Sequence, residues 1–125
     1  MLATLKVAAL ALLVAWDATA PVEVPYGFET GNSYLQMTET QRDTYVIGLF
    51  DALMASTVIG ADLAVVRRIK GCFLEMNSKQ IEAIFEKYLR QNPEQWHEHA
   101  GMLFLETVSH TCPGAIWPAQ NLRKP

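Results

Sequence analysis

Residues 77–91 read NSKQIEAIFEKYLRQ and carry the clearest helical pattern in the chain. Asn77 is a favoured N-cap residue, and Gln80 completes a capping box, in which each side chain bonds the other residue's backbone N–H. Met76 precedes the cap and is placed to pack on Ile81 as a hydrophobic staple. We therefore expect a helix that ends at about Gln91 and buries one apolar face. That face consists of Ile81, Ile84, Phe85, Tyr88 and Leu89.

A further helical segment follows almost at once. Asn92-Pro93 provides a cap and a proline at the first helical position, so the pattern predicts a helix that reaches Cys112. Its inner face would consist of Trp96, Ala100, Leu103, Phe104 and Val108. Pro113-Gly114 ends the pattern. Because the connection between the two helices is very short, they should pair as an antiparallel hairpin.

Upstream, the sequence predicts a longer helix that opens near Thr38. Thr38 and Gln41 fit a capping box, and apolar residues then recur at helical spacing. Gly60 breaks this pattern, since glycine is a poor helix former.

A short helix is expected over residues 61–70, with Asp62 as its N-cap and Gly71 as its stop. No part of the chain shows the alternating pattern of a strand. The predicted fold class is therefore all-α, a small single-domain bundle of about four helices with one disulfide. The predicted boundaries are 21–37 for an N-terminal loop, 38–112 for the helical domain and 113–125 for an irregular tail.

The first twenty residues have the three parts of a secretory signal peptide. Lys6 gives a positive start, residues 7–16 form an apolar run, and Ala18-Thr19-Ala20 offers small residues for cleavage. Ten apolar residues would span about 15 Å as a helix, half of a bilayer core, which argues against a transmembrane anchor. The alternative is a buried N-terminal helix. We expect export across the inner membrane and a periplasmic location, with no membrane attachment once the signal peptide is removed.

Cys72 and Cys112 are the two cysteines of the chain. An exported protein meets an oxidising compartment, so the simplest expectation is one disulfide between them. In the predicted hairpin, the start of one helix and the end of the other lie side by side, which places the two cysteines together. The alternative is a pair of free thiols.

Charge and residue patterns give little indication of catalysis. The chain has a net charge of −3, which disfavours nucleic-acid binding. His97-Glu98-His99 resembles a metal cluster, but on a helix these two imidazoles would point apart, and Glu106 with His110 supplies two ligands alone. We interpret both groups as exposed polar surface. The sequence thus predicts a protein that is not an enzyme, with no catalytic residues, metal or cofactor.

Six short motifs occur in an order and spacing that resemble the Rap/Tai domain, the domain of periplasmic immunity proteins of type VI secretion systems in Gram-negative bacteria. The motifs are Phe28-Glu29-Thr30-Gly31-Asn32-Ser33-Tyr34-Leu35, Tyr45-Val46-Ile47-Gly48-Leu49-Phe50-Asp51-Ala52, Lys79-Gln80-Ile81, Lys87-Tyr88-Leu89, Asn92-Pro93-Glu94 and Cys112-Pro113. The resemblance runs from Phe28 to Cys112. It implies a signal peptide, a helical bundle and a protein that binds and blocks a secreted peptidoglycan amidase.

An inhibitor of this kind needs a rigid, protruding element. The best candidate is the segment from Gly71 to Asn77, which the expected disulfide would tether at Cys72 and the helix cap at Asn77. Its predicted partner-binding residues are Phe73, Leu74, Glu75, Met76 and Asn77. The alternative is that these residues only cover the end of the hairpin. A second class of function also stays open, a periplasmic acid-stress chaperone of the HdeA kind, or a periplasmic protein of another role. A homodimer is compatible with either.

Overall fold

The structure, a computed structural model, describes residues 27–117 as a bundle of helices. Its five α-helices and two 3₁₀ helices are α1 (Gly31–Gln36), α2 (Glu39–Ala55), a 3₁₀ turn (Ser56–Ile59), α3 (Leu63–Phe73), α4 (Ser78–Gln91), a 3₁₀ turn (Pro93–Gln95) and α5 (Ala100–Thr111). The predicted all-α class is confirmed. The predicted signal peptide, residues 21–26 of the N-terminal loop and residues 118–125 of the tail lie outside the described residues.

Three of the four predicted helix starts are confirmed by capping bonds. At α2, Thr38 Oγ1 accepts a hydrogen bond from the Gln41 N–H at 3.3 Å, and Gln41 Oε1 accepts one from the Thr38 N–H at 2.9 Å. At α4, Asn77 and Gln80 exchange the same pair of bonds. Asp62 caps α3 through the Val65 N–H. These local side-chain bonds satisfy backbone donors that a helix leaves unpaired at its first turn.

Residues 31–36 form α1, whereas the prediction placed them in a loop. Thr30 and Ser33 make a capping box with serine at the third position, a weaker sequence signal than glutamine or glutamate. The Gly31 N–H donates to the Glu98 carbonyl at 3.0 Å, and the Asn32 N–H donates to the Trp96 carbonyl at 2.8 Å. Contacts distant in sequence therefore fix this short helix, and a local pattern could not reveal them.

The same contacts divide the last predicted helix. Instead of one helix from Asn92-Pro93, the chain forms a 3₁₀ turn, leaves helical structure at residues 96–99 and starts α5 at Ala100. The Ala100 N–H donates to the Glu29 carbonyl at 2.8 Å, and Trp96 Nε1 donates to the Leu89 carbonyl at 2.6 Å. Bonds to other segments thus replace the helical bonds that this stretch would otherwise make.

A second correction concerns Gly71. The helix predicted over 61–70 begins at Leu63 and continues through Gly71 to Phe73. Glycine in a helix costs up to about 1 kcal/mol relative to alanine, a cost that tertiary packing readily offsets. Here the next two residues are both anchored, Cys72 by a disulfide and Phe73 by burial.

The core lies where α1, α4 and α5 meet, and α2 and α3 close it. Phe85 is fully buried, with its ring centroid 4.7 Å from that of Tyr34 and 5.4 Å from that of Phe104. Val46 of α2 is also fully buried. Most of the predicted inner-face residues are confirmed as buried, namely Ile81, Phe85, Tyr88, Leu89, Ala100, Leu103, Phe104 and Val108. Ile84 and Trp96 were also predicted to face inward, but both are only partly buried, and Trp96 lies before the start of α5.

Candidate protein-binding surfaces

The predicted partner-binding segment forms the tight turn between α3 and α4. The Met76 N–H donates to the Phe73 carbonyl at 3.0 Å, which turns the chain within a few residues. Leu74 is 70% exposed and Glu75 is also exposed. Within residues 27–117, the Glu75 carboxylate makes no ion pair. We call Leu74-Glu75 the turn tip.

The other three predicted residues of this segment have structural positions. Phe73 is buried, with its ring centroid 5.5 Å from that of Phe50, so the prediction that it lies in a surface loop is wrong. The reason is the extension of α3, which carries Phe73 into the core. Met76 is half-buried against the core, and the Asn77 side chain caps α4. Only the turn tip is fully available to a partner.

Both ends of this turn are fixed. The disulfide between Cys72 and Cys112 joins the last turn of α3 to the end of α5, with a Cα–Cα distance of 6.1 Å. On the other side, Asn77 Oδ1 accepts a hydrogen bond from the Gln80 N–H at 3.0 Å. The predicted disulfide is therefore confirmed, and the turn tip is held between a covalent bond and a helix cap.

A second exposed surface is a groove that sequence reasoning did not anticipate. It has a volume of about 540 Å³ and is bounded by α2, α3, α5 and the turn after α5. We call it the apolar groove; its apolar lining is Leu53, Val65, Ile69, Met102, Leu105, Ile116 and Trp117. Met102 is 53% exposed and Trp117 is 57% exposed. The signal in the sequence was weak: Met102 and Leu105 are apolar residues on the side of α5 predicted to face solvent.

Further apolar side chains are exposed on the connection between α2 and α3 and at the start of α3. Val58 and Ile59 of the 3₁₀ turn are almost fully exposed, and Leu63 at the start of α3 is half-exposed. Gly60 ends the turn with a φ of 103°, a left-handed conformation that side-chain-bearing residues rarely adopt.

Helix α3 also exposes three cations. Arg67, Arg68 and Lys70 are exposed, and none has a carboxylate oxygen within 4.0 Å among residues 27–117. Arg68 Nε donates to the Ala115 carbonyl at 3.0 Å, which holds the side chain over the turn that follows α5. The chain as a whole is acidic, so this helix is a local positive surface.

A partly buried ion cluster joins α2 to α4. Glu82 is a buried carboxylate, and its Oε1 lies 3.2 Å from Arg42 Nε, while its Oε2 lies 3.6 Å from Lys79 Nζ. Lys79 also contacts Glu39 at 3.1 Å. A buried carboxylate needs such partners, since an unpaired charge away from water costs several kcal/mol. These ion pairs indicate a structural role, in which they hold α2 against α4.

Tyr34 lies beneath this cluster and is fully buried. Its hydroxyl has no hydrogen-bond partner among residues 27–117. Burial, with a smaller contribution from the negative charge of Glu82, raises the pKa of the Tyr34 phenol well above its ordinary value. The phenol therefore stays protonated in the folded protein.

The candidate metal residues of the sequence lie in a turn. Residues 97–99 precede α5, so the helical geometry used to separate His97 from His99 does not apply. His97 Nε2 lies 3.1 Å from Glu98 Oε1. Among residues 27–117, no three His, Cys, Asp or Glu side chains come together in a way that could hold a metal ion.

Glu106 and His110, one helical turn apart on α5, both contact Tyr88. Tyr88 Oη donates a hydrogen bond to Glu106 Oε2 at 2.6 Å, and the Tyr88 and His110 ring centroids lie 5.4 Å apart. Burial and then this hydrogen bond raise the pKa of Tyr88. The arrangement ties α4 to α5 along the rim of the apolar groove.

Two exposed surfaces of the described residues are thus candidates for protein binding, the turn tip and the apolar groove with its cationic helix. Both suit the binding of another molecule through apolar contact and charge. In the part of the chain that the structure covers, no helix has the length and apolar content to cross a membrane. No protein-family model, curated protein or solved structure matches this chain.

Proposed function

We propose that this protein is a periplasmic immunity protein that binds and inhibits a secreted peptidoglycan amidase of a type VI secretion system. The observation that carries the proposal is the turn tip, in which the exposed Leu74 lies beside Glu75, a carboxylate with no ion pair among residues 27–117. The turn is fixed at both ends, by the disulfide and by the helix cap. The motif order from Phe28 to Cys112, which resembles the Rap/Tai domain, supplies the class of partner.

The rigidity of the turn favours inhibition of an enzyme cleft. A binding element that is already ordered loses little conformational entropy when it enters a cleft, so more of its contact energy is retained as affinity. Phe73, buried before the tip, and Asn77, bonded after it, leave the tip little freedom. Enzyme–inhibitor interfaces commonly use such pre-organised elements, whose backbone moves little on binding.

The two tip side chains have distinct roles in this proposal. Leu74 supplies an apolar anchor that loses its exposed surface in the cleft, and a fully buried leucine contributes about 1.5–3 kcal/mol. Glu75 supplies a carboxylate that accepts hydrogen bonds from donors aimed at the substrate's amide. Occupation of the cleft by both side chains excludes the peptidoglycan stem peptide and stops hydrolysis.

Affinity capture tests the proposal and identifies the partner in the same experiment. The mature chain serves as bait in periplasmic extract and culture supernatant, and captured proteins are identified by mass spectrometry. We expect a peptidoglycan amidase to be captured by the wild type and lost with a Leu74→Ser, Glu75→Ala bait. An Ile47→Ser bait is the matched control, since Ile47 is an exposed apolar residue that belongs to α2 and not to the turn. Capture that the tip variant retains in full would contradict the role of the tip.

The same protein distinguishes the chaperone alternative. An acid-stress chaperone would protect unrelated unfolded proteins from aggregation only near pH 2–3, and it would do so without the turn tip. We expect no such protection.

A further inference from the structure

The apolar groove and the positive surface of α3 share one helix. Val65 and Ile69 line the groove, and Arg68 lies between them in sequence. Residues three or four apart on a helix are neighbours, so Arg68 is adjacent to Val65 on the helix surface. Its bond to the Ala115 carbonyl places it beside the turn that contributes Ile116 and Trp117 to the groove.

We propose that this groove binds an amphipathic helix of a protein partner, with apolar residues in the groove and acidic residues along α3. The inference concerns a surface separate from the turn tip and does not rest on the proposed inhibition of an amidase. The groove is lined by Val65 and Ile69 of α3, whereas the tip follows the last residue of that helix.

The shape and exposure of the groove favour an apolar helix face as its occupant. An amphipathic helix inserts side chains at positions i, i+3 or i+4, and i+7 into a groove between helices. A volume of about 540 Å³ accommodates two or three large apolar side chains, and the exposed Met102 and Trp117 flank it. Tryptophan is enriched among the residues that dominate binding energy, and methionine adapts its shape to different partners.

The cations of α3 differ from those of α2 and α4 in their distance from carboxylates. Arg42, Lys79 and Arg90 each lie within 4.0 Å of a carboxylate oxygen. By contrast, the three cations of α3 have no carboxylate within that distance among residues 27–117, and α3 contains no acidic residue. Lys87 of α4 has no such partner either, but it is a single charge rather than a group of three. Arg68 is the cation of α3 that lies beside the groove-lining Val65, and a partner with a carboxylate next to its apolar face would complement it.

The titratable groups that line the groove belong to α5. Glu106 accepts the hydrogen bond of Tyr88 at 2.6 Å, and the ring of His110 packs against Tyr88. We therefore place the carboxylates of the partner on the α3 side of the groove, where Arg68 is bonded to the Ala115 carbonyl.

Two synthetic peptides of about 15 residues, roughly four helical turns, provide the probe. They share one apolar face of leucine and phenylalanine, and carry either glutamate or lysine at all polar positions. Binding to the mature chain is measured by calorimetry, and the contact residues are mapped by NMR chemical shifts. We expect the glutamate peptide to bind at least about tenfold more tightly, with shifts at groove residues. Equal affinity, preference for the lysine peptide or shifts elsewhere would overturn the proposal.

Variants with matched controls test the contributions of charge and of groove shape to peptide binding separately. Arg68→Glu should remove or reverse the preference for the glutamate peptide, whereas Lys87→Glu on α4 should keep it. Full preference in the Arg68→Glu variant would contradict the role of this cation.

Met102→Glu places a charge at a half-exposed groove position and should abolish binding of both peptides, with the fold checked by circular dichroism. Ile47→Glu should leave binding unchanged. Met102→Glu that binds as well as wild type would rule out the groove. The Leu74→Ser, Glu75→Ala variant should keep peptide binding, so failure of the groove and failure of the turn tip give different results.

Discussion

Removal of the Cys72–Cys112 disulfide should destabilise the fold by about 2–4 kcal/mol. The bond closes a loop of 40 residues. In the chain-entropy model, cross-linking a loop of that size stabilises the folded state by about 4 kcal/mol at 25 °C, as an upper value. Residual structure in the unfolded chain lowers this number. For a domain of about 100 residues, the loss corresponds to a fall in Tm of roughly 10–20 °C.

The variant Cys72→Ala, Cys112→Ala suits this test better than serine, because Cys112 is buried and a serine would bury a hydroxyl group. Urea unfolding followed by circular dichroism at 222 nm gives the free energy of unfolding. Wild-type protein in dithiothreitol is the control, since it loses the cross-link and keeps both sulfurs. Reduced wild type and variant should have similar midpoints, and dithiothreitol should not shift the variant. A difference below about 1 kcal/mol from the oxidised wild type would refute the reasoning.

Three further predictions use thermal or urea unfolding. Gly31→Ala should destabilise the fold by about 1–3 kcal/mol, because the added Cβ would lie 2.8 Å from Leu103 Cδ1. Gly48→Ala on α2 places its Cβ in open space and should stabilise the fold by about 0.5–1 kcal/mol. The opposite order of stabilities would contradict the packing around Gly31. Phe85→Ala should cost about 3–5 kcal/mol, and a loss below 1 kcal/mol would contradict its central place in the core. Tyr34→Phe should be neutral or stabilising near pH 7, because the hydroxyl is unpaired among residues 27–117. The raised pKa of Tyr34 means that the unfolded chain releases this proton first, so wild type should lose stability as pH rises above about 10, and the variant should lose less.

Local signals in the sequence predicted much of the bundle. The capping pairs Thr38–Gln41 and Asn77–Gln80 are interactions over three residues, and they placed the starts of α2 and α4 correctly. The apolar spacing of α4 identified its buried face for the same reason. The disulfide followed from the number of cysteines together with the expected oxidising compartment.

The errors all come from contacts between distant segments. Helix α1 and the break before α5 depend on backbone bonds between residues 29–32 and 96–100, which no local pattern encodes. The burial of Phe73 depends on Phe50 of another helix. The groove forms because apolar residues from three helices and from the turn after α5 lie together. A single exposed residue such as Met102 does not predict a groove from the sequence.

Inhibition of the captured amidase is the most direct test of the proposed function. Release of peptides from purified peptidoglycan is followed while the mature wild type, the Leu74→Ser, Glu75→Ala variant or the Ile47→Ser control is titrated into the enzyme. The account predicts complete inhibition near one inhibitor per enzyme by the wild type and the control. The tip variant should need at least about tenfold more protein, equivalent to about 1.4 kcal/mol of binding free energy. Equal inhibition by the folded tip variant, or no inhibition by the wild type, would contradict the account.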